Sequence, residues 1–175
     1  MKTLVTYSSL TGNTQRVAEA IFASLKGDKT LLPIADAGDA SDYERIIIGY
    51  WVDKGDANEE ALQFIAKLKN KTLGIFTTLG GNPDSEHAQN ALNRVTDRLT
   101  ASGNTVKATF KCRGAVAPKL IERIKATWDT PPPPDSKWPA WTEAAKEAKL
   151  LAWAEAAKHP NGTDFANAQA AFAAF

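Results

Sequence analysis

The sequence predicts a doubly wound α/β domain, a parallel sheet with helices on both faces, and three observations carry that prediction. Apolar runs of strand length alternate with amphipathic runs of helical period along most of the chain. One run, Ile46-Ile47-Ile48, sets three β-branched residues in a row, the mark of a central strand covered on both faces. Turns rich in glycine, hydroxyl or aromatic residues follow the first, third and fourth strands, where an open parallel sheet keeps its ligands.

The first strand spans Thr3 to Ser8. It leads through Ser9-Leu10-Thr11-Gly12-Asn13-Thr14 into a helix whose apolar residues Val17, Ala18, Ile21, Phe22 and Leu25 recur at helical spacing, with Gly27 at its end. A short strand near Thr30 to Leu32 is cut by Pro33, and a polar link leads to the third strand, Arg45 to Tyr50. Trp51 to Asp56 reads as a loop before a helix carrying Ala61, Leu62, Ile65 and Leu68. The fourth strand, Thr72 to Thr77, opens into a glycine-bearing loop, and Asn82 or Asp84 is placed to cap the helix of Ala88, Ala91, Leu92, Val95 and Leu99. Gly103 stops that helix, the fifth strand runs from Asn104 to Lys111, and a shorter helix carries Leu120, Ile121 and Ile124. Residues 1–127 form the expected domain. Residues 128–175 form a tail packed on it: a spacer at Pro131 to Pro134, an alanine-rich helix docked by Trp138, Trp141 and Trp153, and a last helix capped by Thr163.

Twenty-one basic against 20 acidic residues leave a net charge of +1, so neither nucleic acid nor an anionic membrane is an expected partner. The lone Cys112 rules out an internal disulfide, offers no metal cluster and fits a reducing cytosol; it reads as a small buried hydrophobe rather than a nucleophile. The start of the chain is too polar for a secretory or membrane segment, and a monomer is the expected state.

The loop after the first strand is built for an anion. The first N–H groups of a helix lack partners inside it, its dipole places partial positive charge there, and the Ser and Thr hydroxyls add donors. Neither Lys nor Arg occurs in the loop, so a phosphate would be held mainly by neutral groups. Trp51 offers a π face on the same rim, and the backbone around Gly80 and Gly81 permits close approach of a planar ring.

Ser9-Leu10-Thr11-Gly12-Asn13-Thr14 matches every fixed position of [ST]-x-T-G-x-T, and with it the chain resembles the flavodoxins. The likeness runs through about residues 1–125, including Asp42-Tyr43-Glu44 and Phe110-Lys111-Cys112-Arg113-Gly114, and returns more faintly at His159-Pro160. Trp51 to Gly55 and Pro83 to His87 look closest to a divergent subgroup, some members of which accompany anaerobic reductases. The resemblance implies the strand order 2-1-3-4-5 and a noncovalent FMN. It implies a cofactor site made of Ser8, Ser9, Leu10, Thr11, Gly12, Asn13 and Thr14 around the phosphate, with Tyr50, Trp51, Val52, Asp53, Lys54, Gly55, Thr78, Leu79, Gly80 and Gly81 around the ring. It also implies single-electron traffic between redox partner proteins. A reductase using NAD(P)H, or a flavin-free accessory subunit, would share the fold. Two departures stand out: residues 77–84 contain no aromatic side chain, and Lys54 places a cation in the first ring loop.

Overall fold

The computed structural model describes residues 2–137 and 139–175. Strands β1 (Thr3–Tyr7), β2 (Lys29–Pro33), β3 (Arg45–Asp53), β5 (Thr72–Leu79) and β6 (Thr105–Arg113) are mutually parallel in the order β2-β1-β3-β5-β6, and a two-residue strand β4 (Asp56–Ala57) pairs antiparallel with the end of β3. Counted without β4, the parallel strands run 2-1-3-4-5. The order reverses between β1 and β3, so the rim beyond their carboxyl ends is the ligand rim.

The helices are α1 (Asn13–Ser24), α2 (Glu59–Ile65), α3 (Glu86–Ala101), α4 (Pro118–Lys125), α5 (Glu143–Ala156) and α6 (Gly162–Ala171). Alternation along β3 explains the three consecutive isoleucines. Ile46 and Ile48 join Leu73, Ile75 and the α2 and α3 residues Phe64, Leu92, Val95 and Leu99 on one face of the sheet. Ile47 points the other way, with Val5, Phe76, the α1 residues Val17, Ala18 and Ile21, Ala168 of α6 and Phe172 at its C-terminal cap. The last helix is thus part of the core: the Phe172 ring lies so close over Gly74 that a Cβ there would come within 2.5 Å of it.

Several boundaries differ from the sequence reading, each for a local reason. Pro33 ends β2 instead of breaking it, because β2 is the sheet edge, where a missing N–H is tolerated. Ser85, not Asn82 or Asp84, caps α3 by accepting from the Ala88 N–H. Asn161, not Thr163, caps α6 in a reciprocal box with Asp164, a spacing visible in the sequence. Trp51 to Asp56 is a hairpin instead of a loop. Trp51, Val52 and Asp53 extend β3, and Lys54 and Gly55, with φ of 50° and 81°, make the two-residue turn that fits a twisted ladder. In the tail, Trp141 and Trp153 both pack on Trp128; Trp138 lies outside the described residues.

Candidate functional site

At the mouth of α1, Gly12 takes φ of 86°, a left-handed conformation that turns the chain from β1 into the helix. The Ser9 hydroxyl accepts from the Gln15 N–H at 3.3 Å, and the Gly12 carbonyl accepts from Arg16 N–H at 3.0 Å. The N–H groups of Asn13 and Thr14 have no partner among the described residues. Asn13 Nδ2 donates to the Thr11 hydroxyl at 3.0 Å and to the Ala115 carbonyl at 2.9 Å. Because Thr11 Oγ1 is accepting, its own proton stays free for another acceptor. The Thr14 hydroxyl is buried 3.0 Å from that of Thr78. Arg16 is turned aside, its guanidinium 5.3 Å from the centre of the Phe165 ring.

This helix mouth opens into a cleft of about 240 Å³ on the carboxyl-end rim of the sheet. Leu10, Thr11, Asn13 and Thr14 line it from the first loop, Trp51, Val52, Asp53 and Lys54 from the hairpin, and Thr78, Leu79 and Gly80 from the end of β5. The register places Trp51 beside Thr78 and Thr78 beside Cys112, so the segments after β3, β5 and β6 leave neighbouring strands at one level.

Six of the expected residues do not line this cleft. Ser9 and Gly12 shape the turn, Gly55 sits in the hairpin turn against the His87 ring, and Gly81 is exposed beyond the cleft. Ser8 is buried, accepting from Asn58 Nδ2 at 2.8 Å and donating to the Glu60 carboxylate. Tyr50 is fully enclosed in the core on the α2 and α3 face. Alternation along β3 puts it on the side of Ile46 and Ile48, and burial raises its hydroxyl far above the usual phenol range. Sequence reasoning missed Gly114, Ala115, Val116, Ala117 and Leu120, which complete the cleft after β6. The signal was available: β6 is also a parallel strand, and its carboxyl end must reach the same rim.

Two electrostatic features lie next to the cleft. The Arg98 guanidinium clasps Asp56 with two bonds of 2.6 and 2.7 Å, tying the hairpin that carries Trp51 to α3. That hydrogen-bonded pairing holds the Asp56 carboxyl below the ordinary carboxylate range. Cys112 is buried, and desolvation pushes its thiol up to about 12, so it carries no thiolate at neutral pH.

A switch-point cleft beside a glycine-turned helix mouth defines an open α/β protein with a ligand rim. The family model described as flavodoxin domain matches residues 4–173, and the chain belongs to that family. Among curated proteins it is similar to the flavodoxin-like domain-containing protein BilS of Clostridioides difficile (strain CD3), at 30% identity over 71% of this chain and 73% of that one. It is also similar to the BilS of Clostridium symbiosum (strain WAL-14163), at 28% identity over 97% of this chain and 93% of that one. Among solved structures, a Fusobacterium nucleatum flavodoxin bound to flavin mononucleotide superposes with a TM-score of 0.52 at 19% identity, covering 67% of this chain and 74% of that one. That likeness shows the fold. Among the described residues, no helix is long and apolar enough to cross a membrane.

Proposed function

We propose that the chain binds FMN noncovalently in this cleft and carries single electrons between protein partners in the cytosol. The observation that carries the reading is the pair of unpartnered N–H groups, Asn13 and Thr14, beside an available Thr11 hydroxyl at the mouth of α1. Those donors suit a phosphate, and Arg16, engaged with Phe165, leaves the task to neutral groups. Family membership and the FMN-bound structural neighbour support the choice of nucleotide.

Bound FMN would supply one-electron redox chemistry. The protein's part is to bind, orient and shield. Thr11, Asn13 and Thr14 hold the phosphate end, and Trp51 gives the ring a flat apolar surface. The backbone of Val52 to Lys54, held in a β-hairpin, presents fixed peptide groups to the ring edge. The cleft, at about 240 Å³, is smaller than the roughly 300–1,000 Å³ of enclosed ligand cavities, so a nucleotide seated there keeps one edge toward solvent and partner.

Titrating the purified chain with FMN while recording visible absorbance tests this reading. Saturable uptake with a perturbed flavin spectrum, and slow or absent bleaching by NAD(P)H, is the expected result. A chain that stays colourless in excess FMN would contradict it, and rapid bleaching by NAD(P)H alone would assign a reductase instead.

A further inference from the structure

Strand β6 and helix α6 pack together, yet 48 positions separate Arg113 from Gly162 along the chain. The excursion holds α4, the proline-rich turn and α5, and it leaves and rejoins the domain at one point: the Ala115 N–H donates to the His159 carbonyl at 3.1 Å. It carries its own aromatic centre, with Trp128 stacked on Trp153 at 6.0 Å and tilted against Trp141 at 6.0 Å. None of the α4 residues is buried in the domain core. The root of this excursion enters the cleft through Val116, Ala117 and Leu120.

Three observations turn that placement into an assignment. Residues 79–84 supply no aromatic side chain, and Val116 lies on them instead: a Cβ on Gly80 would stand 2.4 Å from Val116 Cγ2, so only glycine permits the contact. Strands β3 and β6 flank β5 on opposite sides, so the strand ends that carry the Trp51 loop and the excursion root are two strand spacings, about 10 Å, apart. A flat ring in van der Waals contact on both faces needs roughly 7–8 Å between the walls. Finally, Leu120 is 37% exposed and Leu10 is 66% exposed, and these two large exposed hydrophobic residues both line the cleft.

We infer that the excursion between β6 and α6 supplies the second wall of the ring site, with Val116 and Leu120 as positioning residues that hold a planar heteroaromatic ring against Trp51. This rests on the FMN reading above. An aliphatic wall gives contact area and excludes water but offers no π face, so the ring stacks on one side and packs on the other. The wall is also tied to the anion end of the site. Asn13 donates both to Thr11 and to the Ala115 carbonyl, one residue before Val116, so the phosphate loop and the wall share a hydrogen-bonding side chain.

The test uses the full chain with two probes, FMN and riboflavin, the second lacking the phosphate. Leu120→Ser and Val116→Ser are compared with wild type and with Leu151→Ser, which removes an exposed apolar residue on α5 that does not line the cleft. Leu120 is partly exposed, so its variant is expected to fold, and circular dichroism checks both. The expected result is a loss of about tenfold in affinity for both probes in the two wall variants, with the bound visible spectrum moving toward that of free flavin, and wild-type behaviour in Leu151→Ser. Wild type that takes up no FMN would overturn the FMN reading itself. Wild type that binds FMN, with ring spectrum and riboflavin affinity unchanged in both wall variants or equally reduced in Leu151→Ser, would overturn the second wall while leaving FMN binding intact.

Discussion

The two ends of the cleft are built in opposite ways. The anion end comes from one short stretch, Ser9 to Thr14, where a glycine turn, a helix start and three hydroxyl residues lie within six positions. The other end, where we place the ring, is lined by three distant segments: the β3–β4 hairpin, the end of β5 and the root of the excursion after β6. A site written in consecutive residues is fixed by local backbone chemistry. One gathered across strands depends on packing, and its tolerance to change is set far from the ligand.

The largest expected effect breaks the anion end alone. Thr11→Val removes a hydroxyl donor to a charged group and should weaken FMN binding by about 1.5–3 kcal/mol. Riboflavin affinity in Thr11→Val should stay at the wild-type value, as parallel titrations would show. Thr14→Val keeps the backbone N–H but leaves the buried Thr78 hydroxyl without its partner, so that variant should lose thermal stability where Thr11→Val does not. Trp51→Ala addresses the ring end. It should cost roughly 1–2 kcal/mol with either FMN or riboflavin and restore flavin fluorescence quenched in the wild type, as a fluorescence titration would reveal.

A smaller effect reaches the ring end from a distance. Arg98→Ala frees the hairpin from α3 and should lower stability by about 1 kcal/mol or less, since the pair is partly exposed, with denaturant melts as the check. The same tether sets a pH dependence. The folded-state pKa of Asp56 is depressed, so its contribution is fully present above the unfolded carboxylate value near 4 and is lost as pH falls through the lower folded value. Below about pH 4 the difference between wild type and Arg98→Ala should therefore shrink. Smallest of all, Lys54→Gln removes an exposed cation beside the cleft and should lower the potential for placing negative charge on the ring by about 40 mV or less, measured by redox titration.

How much of this was legible in the sequence follows the same division. The strand order, the two-faced burial of β3 and the turn into α1 were readable because periodicity and a contiguous motif carry them. The hairpin after Trp51 was missed because a two-residue partner strand is too short to leave a pattern, although Lys54-Gly55 marked the turn. The resemblance places Tyr50 at the ring, whereas strand alternation sends it into the core. The place of Val116 and Leu120 at the cleft was overlooked although the carboxyl end of β6 had to reach the rim: α4 reads as an ordinary amphipathic helix, and the closure of Ala115 on His159 shows that it belongs to an excursion rooted there.

The central claim is that neutral donors at the mouth of α1 grip the phosphate of a flavin nucleotide, and the ratio of FMN to riboflavin affinity in the wild-type chain measures it most directly. Two or more hydrogen bonds to a charged group predict FMN binding tighter by about 100-fold or more. Equal affinities for the two flavins would contradict the account.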